Sequence, residues 1–300
     1  MTRLSFADLS FGDDSAPLYI SAARAVEFRP GTPVLLGAGY DGTTSFRPGT
    51  RGGPDAIRRV SDGLETYSPS QHADLEDAPI LDAGNLDLPF GSPKPAVDMV
   101  AAAVKEVMSL GARPLLLGGE HSLTAGAVRG ALEVYPDLVV VQLDAHADLR
   151  ADYLGEAFSH ACAMRRCLDL LDTPDSPQGM RLLQVGIRSG TRAEFDELRE
   201  SGRYTPPEGV ELAERVAEFG RRPVYLTVDL DVFDPAYFPG TGTPEPGGIN
   251  WREFEQLLAA LSPLNLVGCD VMELAPQLDP TDISAVLAAK VVRELLLAMR

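Results

Sequence analysis

Acidic and imidazole side chains alternate where two largely apolar runs of this chain end. They follow the runs 139–143 and 225–228, and they are Asp144, His146, Asp148, Asp229 and Asp231. Because residues two apart in an extended chain point to the same face, we expect the members of each group to converge. Placing so many such groups at the ends of buried strands is costly unless a cation lies between them. Carboxylate oxygens with one or two neutral imidazoles suit Mn²⁺ better than Zn²⁺. With five such groups at two strand ends, the sequence predicts a two-metal site.

Histidine usage adds a further candidate ligand. The chain has four histidines, and His121 and His146 come directly after apolar runs. His146 stands between two aspartates at a spacing of two, which is typical of a ligand. His121 lies in the turn Gly118–Ser122, where a ligand role and simple tight-turn chemistry both stay open from the residues alone. His72 lies in a polar loop and is interpreted as a surface residue.

Length and composition favour one large domain over residues 1–300. With 45% hydrophobic residues the chain has ample material for a core. No run approaches the roughly 18 uninterrupted apolar residues of a membrane span, so we expect no membrane association. Residues 1–8 lack the basic-then-apolar pattern of a signal sequence. The three cysteines form no Cys-x-x-Cys pair, which together with the other features predicts a cytoplasmic protein.

The charge balance indicates which partners the protein takes. The formal net charge is −18 at pH 7, with 44 acidic against 26 basic residues. A negative surface of this size disfavours nucleic acids and anionic membranes. It favours the approach of a small cationic substrate, although acidic surfaces also serve solubility alone.

Short Val- and Leu-rich runs alternate with amphipathic stretches along the chain. Strands are predicted to begin near Pro33, Pro79, Pro114, Leu138, Arg181, Tyr204, Pro223 and Leu264. Helices are predicted over Pro95–Leu110, Ala161–Leu171, Thr191–Ser201, Val210–Phe219 and Ile283–Met299. The alternation predicts an α/β fold with a mostly parallel sheet of about eight strands, flanked by helices on both faces. Ligand loops in such sheets follow the carboxyl ends of strands, where the candidate metal ligands also fall.

Several segments in order resemble the signature segments of the ureohydrolases, the family of arginases and agmatinases. They are GGEHS at Gly118–Ser122, DAHADLR at Asp144–Arg150, SHACAMRR at Ser159–Arg166 and the long stretch Thr227–Gly248. The resemblance extends to Tyr40–Arg51 near the start and Asp270–Pro276 near the end, so it covers nearly the whole chain. It implies an arginase-like three-layer α/β/α fold and a metal-dependent amidinohydrolase.

The resemblance implies two Mn²⁺ ions per chain, held by residues that match the family's ligands. The ligands of one ion would be His121, Asp144, Asp148 and Asp229. The ligands of the other would be His146, Asp144, Asp229 and Asp231. Asp144 and Asp229 would then bridge the two ions. Four carboxylates would balance the charge of two divalent cations.

Two further matches imply catalytic roles beside the metals. His160 matches the family's proton-shuttling histidine, and Glu273 matches its guanidinium-binding glutamate. Two divalent ions together lower the pKa of a water and so supply hydroxide near neutral pH to attack the guanidinium carbon. Asp148 would orient that nucleophile, Glu273 would hold the guanidinium above it, and His160 would protonate the leaving amine.

The substrate is the less direct inference. Arginases place an Asn two residues beyond the aspartate that matches Asp148, and this chain has Arg150 there. The segment Gly186–Ser189 also lacks the acidic residue that arginases have nearby. The segments around Asp148 and His160 are more similar to agmatinases, which implies hydrolysis of agmatine to putrescine and urea in polyamine biosynthesis. A guanidinobutyrase, or another enzyme for ω-guanidino acids, stays open as the alternative, with Arg150 as a carboxylate partner. An arginase is a weaker alternative.

Two other classes of protein share features of this sequence. A non-catalytic metal-binding relative would have lost ligands, whereas every matched ligand is present here. A deacetylase-like hydrolase uses a single zinc with fewer acids, which the second aspartate pair and GGEHS oppose. The family resemblance also implies a homotrimer or a homohexamer.

Overall fold

Parallel strands form the central sheet of the protein. The computed structural model describes residues 9–11, 17–24, 28–174, 179–207 and 210–300. The strands in these residues are β1 (Ala22–Arg24), β2 (Pro33–Ala38), β3 (Tyr67–Ser68), β4 (Ala73–Asp74), β5 (Ile80–Asn85), β6 (Arg113–Gly118), β7 (Val139–Leu143), β8 (Leu182–Val185), β9 (Tyr204–Thr205), β10 (Pro223–Asp229) and β11 (Asn265–Met272). Nine of them pair in parallel in the order β1-β5-β2-β6-β11-β10-β7-β8-β9, while β3 and β4 form a small antiparallel pair.

Helices cover both faces of the sheet. In the described ranges they are α1 (Gly53–Ser61), α2 (Pro93–Ser109), α3 (Thr124–Leu132), α4 (Ala163–Leu171), α5 (Arg192–Ser201), α6 (Val210–Phe219), α7 (Trp251–Leu261) and α8 (Ile283–Ala298). Buried side chains of α1, α6, α7 and α8 form one apolar cluster with one face of the sheet. Those of α2, α3, α4 and α5 form a second cluster on the opposite face. The chain therefore has the three-layer α/β/α architecture that the sequence predicts.

The centre of the sheet is apolar on both faces, as expected for parallel strands that helices cover. Every residue of Val139–Leu143 is buried, and so are all but the first residue of each of the strands β6, β10 and β11. These four strands are neighbours in the order β6-β11-β10-β7, and they run in the same direction. Their carboxyl ends therefore meet at one edge of the sheet.

The predicted elements agree with the structure except at a few ends. The predicted eight strands are confirmed, and a ninth, the three-residue edge strand β1, has too little apolar pattern to be found from sequence. The helix predicted from Ala161 begins at Ala163, because residues 160–162 form a 3₁₀ turn instead. The helix predicted from Pro95 begins at Pro93, since proline fits the first turn of a helix. Parts of the predicted domain 1–300 lie outside the described residues. None of the described helices is both long and apolar enough to cross a membrane.

Candidate metal centre

All of the predicted site residues lie together at the carboxyl ends of the four central strands. His121 follows β6, the segment 144–148 follows β7, Asp229 ends β10 with Asp231 just beyond it, and Glu273 follows β11. His160 reaches the same place from the 3₁₀ turn before α4. Gly119, the first residue after β6, must be glycine, because a Cβ there would lie 2.0 Å from the carbonyl oxygen of Tyr40.

One group of ligand atoms surrounds His121. Its Nδ1 lies 3.1 Å from Oδ2 of Asp144, 3.0 Å from Oδ2 of Asp148 and 3.4 Å from Oδ2 of Asp229. One donor atom from each of His121, Asp144 and Asp229 falls within 4.8 Å of the others, a spacing that could hold a metal ion. The His121 imidazole is fully buried against three carboxylates, and tight-turn chemistry in the GGEHS segment does not account for that placement.

A second group lies beside the first and shares Asp144 with it. Nδ1 of His146 lies 2.9 Å from Oδ2 of Asp231 and 3.7 Å from Oδ1 of Asp144. These three residues also offer donor atoms within 4.8 Å of one another. Asp144 therefore turns one carboxylate oxygen toward His121 and the other toward His146. This is the arrangement of a carboxylate between two cation positions.

The predicted convergence of alternate residues is confirmed, but the backbone is not extended throughout. Asp148 has φ 52°, in the left-handed region that non-glycine residues seldom adopt, so the chain turns there. Asp231 lies in a 3₁₀ turn, in which its amide donates to Oδ1 of Asp229 at 2.9 Å. Strand geometry thus brings Asp144 and Asp229 to the site, and tight turns bring the residues that follow them.

Burial and crowding of negative charge give this cluster unusual acid–base properties. Burial, with the charges of Asp231 and Asp148, raises the pKa of Asp144 to about 7. Burial also raises the pKa of Asp229 well above its ordinary value, and the nearby Asp231 and Asp144 add to the shift. Without other cations the cluster must take up protons to balance its charge. The donor chemistry therefore fits divalent cations, which would balance the same charge.

The two imidazoles respond in the opposite sense to burial and to their acidic neighbours. Burial by itself would lower the pKa of His146, but Asp231 and the other aspartates raise it to about 10. Burial likewise opposes protonation of His121, yet its bonds to Asp144 and Asp148 raise its pKa well above the ordinary value. In return His146 lowers the pKa of Asp231, although burial alone would raise it. Each ring can take a proton or, when neutral, bind a cation through the same nitrogen.

His160 is held beside the metal groups by a loop that the sequence reasoning gave no role. The amide of Ser45 donates to Nε2 of His160 at 3.3 Å, and the hydroxyl of Ser45 lies 2.9 Å from the same atom. The amide of His160 donates to Oγ1 of Thr43 at 3.0 Å. Fully buried Glu120 anchors this loop, since it accepts from the Thr43 amide at 2.7 Å and from the Thr43 hydroxyl.

Glu273 is buried between His121 and His160. Its Oε1 accepts from the amide of His121 at 2.8 Å and lies 3.8 Å from Nδ1 of His160. Its backbone has φ 69°, and its amide donates to the carbonyl of Gly119 at 2.9 Å. Burial, with the neighbouring Glu120, raises the pKa of Glu273 well above its ordinary value. A strained backbone and a buried acid whose pKa is raised by its surroundings are typical of a functional residue.

A cleft of about 250 Å³ opens beside His146, Asp148, Asp229 and His160. It is lined by Ser45, His146, Ala147, Asp148, Arg150, Tyr153, His160, Ala161, Ser189, Gly190, Glu194, Asp229 and Thr243. Arg150 stacks on the ring of Tyr153, with 4.9 Å between the guanidinium carbon and the ring centroid. Its Nε lies 3.9 Å from Oε2 of Glu194, so the charge of Arg150 already faces an acid of the cleft wall.

Sequence reasoning did not assign the polar residues that support the site from within the sheet. Gln142 and Thr227 are fully buried, and both touch proposed ligands. A signal was present, because each is a polar residue inside an otherwise apolar strand. Ser45 and Thr43 gave no such signal, since small polar residues are ordinary in a loop.

With this fold and this cluster, the chain belongs to the arginase family, whose family model matches residues 32–298. An agmatinase from Bacillus subtilis is 40% identical over 282 residues, which cover 92% of this chain and 94% of that protein. The structure of an agmatine ureohydrolase of Thermoplasma volcanium matches with a TM-score of 0.78 and 34% identity, covering 89% of each chain. Proclavaminate amidino hydrolase from Streptomyces clavuligerus matches with a TM-score of 0.82 and 36% identity, covering 94% of this chain and 96% of that one.

Proposed function

We propose that the protein is an agmatinase, which hydrolyses agmatine to putrescine and urea in the synthesis of polyamines. The observation that carries the proposal is the shared carboxylate of Asp144 between two imidazole–aspartate groups, of which His146, Asp148 and Asp229 line a cleft. The likeness to the Bacillus subtilis agmatinase over nearly the whole chain supports agmatine as the substrate.

The proposal includes two Mn²⁺ ions in the cluster. Their ligands would be His121, Asp144, Asp148 and Asp229 for one ion, and His146, Asp144, Asp229 and Asp231 for the other. Oxygen donors dominate both sets, which suits Mn²⁺ better than a softer ion. Two such ions would supply a nucleophile near neutral pH by lowering the pKa of water.

The buried carboxylate of Glu273 is suited to hold the guanidinium group. A guanidinium cation can donate to a carboxylate through two parallel N–H groups, which fixes the plane of its central carbon. Binding the cation would also remove the cost of ionising Glu273 in a buried position. The backbone strain at this residue and its bond to the His121 amide fix the carboxylate relative to the metal groups. Glu273 would therefore orient the carbon that reacts.

His160 is suited to protonate the leaving amine. Because the Ser45 amide donates to Nε2, the neutral ring carries its proton on Nδ1, which faces Glu273. A guanidinium held by Glu273 would thus place its nitrogens near Nδ1 of His160. The nitrogen that leaves as an amine must take up a proton, and the doubly protonated ring would give one from Nδ1 and return to the neutral form, so His160 is the general acid of the proposed reaction.

The cleft wall favours a substrate with a cationic far end. Glu194 is buried and acidic, and Arg150 beside it is engaged by Glu194 and Tyr153 instead of standing free for a carboxylate. Agmatine carries an amine at the end opposite its guanidinium, and it lacks the carboxylate of arginine.

The proposal predicts selectivity among guanidino compounds. Urea release by the Mn²⁺-loaded protein would be measured with agmatine, arginine, guanidinobutyrate and guanidinopropionate. We expect agmatine to exceed arginine by at least about 10²-fold in kcat/KM, since unpaired polar groups in a site cost several kcal/mol. Comparable or faster hydrolysis of arginine would contradict the substrate assignment and leave the ureohydrolase class intact.

An ω-guanidino acid is the second candidate substrate, because Arg150 lines the cleft and could exchange its contact with Glu194 for one with a substrate carboxylate. The family includes proteins named for other amidino compounds, such as proclavaminate amidino hydrolase. Arg150→Ala decides between the two. If guanidinobutyrate is the better substrate and the variant abolishes its hydrolysis, the second candidate replaces agmatine. If the variant keeps agmatine hydrolysis and its preference over guanidinobutyrate, the first stands.

We also propose a cytoplasmic homotrimer or homohexamer. Phe46, Phe90 and Leu154 are 70%, 89% and 92% exposed, a degree of apolar exposure that contact with another subunit would remove. Light scattering at micromolar concentration measures the assembly, and a monomeric mass would contradict the proposal.

A further inference from the structure

A row of buried polar side chains crosses the sheet directly beneath the cluster of proposed metal ligands. It consists of Gln184 on β8, Gln142 on β7, Thr227 on β10 and Asp270 on β11. These residues are register partners on successive strands, Gln184 with Gln142, Gln142 with Thr227, and Thr227 with Asp270. All four are completely buried. Such groups cost free energy inside a sheet unless each has hydrogen-bond partners, so their contacts indicate their use.

The row lies one step below the proposed ligands on the same face. Gln142 precedes Asp144 by two residues and Thr227 precedes Asp229 by two. The two side chains of each pair therefore point to the same face of the sheet. On that face the next level down is apolar, with Val140 in the cluster that α2, α3 and α4 cover. The polar row is therefore a boundary between the metal cluster and the core.

Gln142 contacts the carboxylate that both metal groups share. Its Nε2 donates to Oδ2 of Asp144 at 2.6 Å, while the amide of His146 donates to Oδ1 at 2.6 Å. Each oxygen of Asp144 thus accepts from one amide N–H group, while Oδ2 also faces His121 and Oδ1 also faces His146. Losing one donor would free the carboxylate to rotate away from the position between the two imidazoles.

Gln184 fixes which end of the Gln142 amide faces Asp144. Nε2 of Gln184 donates to Oε1 of Gln142 at 2.6 Å and to the carbonyl of Ala147 at 2.8 Å. The oxygen of Gln142 is therefore occupied, and its NH₂ group is directed at the carboxylate.

Thr227 makes the equivalent contact for His121. Its Oγ1 lies 2.8 Å from Nε2 of His121, the ring nitrogen opposite the one that faces the aspartates. A ring that uses Nδ1 for a cation carries its proton on Nε2, which then donates a hydrogen bond to the hydroxyl oxygen of Thr227. Thr124 completes the support, since its hydroxyl lies 3.4 Å from that of Thr227 and donates to Asp270 at 2.9 Å.

We propose that Gln142 is a positioning residue that fixes the Asp144 carboxylate between the two metal ions, and that Gln184 and Thr227 complete this support. The inference rests on the proposed metal centre. It concerns metal affinity, because a ligand held in place in advance loses less conformational freedom when the ion binds.

Gln142→Met tests the inference, since methionine has a similar length and cannot donate. Manganese affinity would be measured by calorimetry on metal-free protein, with Leu183→Met on the opposite face of β8 as the control. We expect about a 10- to 100-fold loss of affinity in Gln142→Met and less than a twofold change in the control. At saturating Mn²⁺, kcat for agmatine should fall while KM stays within about twofold, because Gln142 lines no part of the cleft.

Affinity decides the inference whether or not agmatine proves to be the substrate. A loss below about fivefold in Gln142→Met, with or without a lower Tm, would show a merely structural role and overturn it. If Gln142→Met does not fold, Thr227→Val and Gln184→Met are measured against the same threshold. Failure to hydrolyse agmatine by the unmodified chain would instead overturn the proposed function alone.

Discussion

At the scale of single residues, Asp144 determines the form of the site. It is completely buried, it turns one oxygen toward each imidazole, and its pKa is raised to about 7 by burial and by Asp231 and Asp148. A carboxylate in this position is unfavourable for the fold alone. It becomes favourable when cations are present, which explains why so much acid is concentrated at four strand ends.

The acid–base properties of the metal-free cluster predict that manganese binding releases protons. Near neutral pH His146, with its pKa raised to about 10, holds a proton, and so does His121, whose pKa its bonds to aspartates raise well above the ordinary value. These protons must leave before the same atoms bind a cation, so affinity should rise as the pH rises. Calorimetry in two buffers of different ionisation enthalpy measures the release, which should exceed about one proton per chain. Affinity that is flat or falling between about pH 6 and about pH 8 would contradict this.

His160 is predicted to act on protons and not on metals. His160→Asn should keep two bound Mn²⁺ and slow agmatine turnover by roughly 10²- to 10⁴-fold, because the leaving amine loses its acid. Metal analysis and urea release measure the two effects. His72→Asn, a change of the same type at an exposed histidine, should alter neither. Loss of manganese from His160→Asn would show that this ring is a ligand.

At the scale of elements, the sequence predicts most of what places the site. The apolar runs that end in Asp144 and Asp229 predict two buried strands with ligands at their carboxyl ends, and the structure confirms both strands and pairs them. The sequence could not predict the turns that follow these strands, because the left-handed conformation of Asp148 depends on tertiary contacts. The family resemblance supplied His160 and Glu273, whose partners come from distant loops. The sequence did not identify Ser45 and Thr43, because their contacts with His160 join loops that are distant along the chain.

Close packing of α3 on α2 holds the helix that follows His121. A Cβ at Gly126 would lie 2.3 Å from the carbonyl oxygen of Val97, so the two backbones touch at this position. Gly126→Ala should therefore push the helices apart and lower the free energy of unfolding by about 1–3 kcal/mol. Urea denaturation measures the loss. Gly63→Ala is the control, since its new Cβ would meet its nearest neighbour only at 3.4 Å. Equal stability of the two variants would contradict the account of this packing.

At the scale of the whole molecule, charge and fold favour the same kind of substrate. The chain carries a net charge of −18, and its cleft has acids in both its floor and its wall. A negative protein raises the local concentration of cations, which would include both the metal ions and a doubly charged substrate. Parallel strands bring every proposed ligand to one end of the sheet, so a single cleft can receive both.

Two metal ions in this cluster are proposed to make the protein an agmatine hydrolase. The most direct test adds Mn²⁺ stepwise to metal-free protein and measures bound manganese and urea release from agmatine together. We expect no urea without metal, activity that saturates as about two ions bind per chain, and loss of both in Asp229→Asn. Asp169→Asn, an exposed change on α4, should behave as the unmodified chain does. Agmatine hydrolysis by the metal-free protein, or full activity and manganese content in Asp229→Asn, would contradict the account.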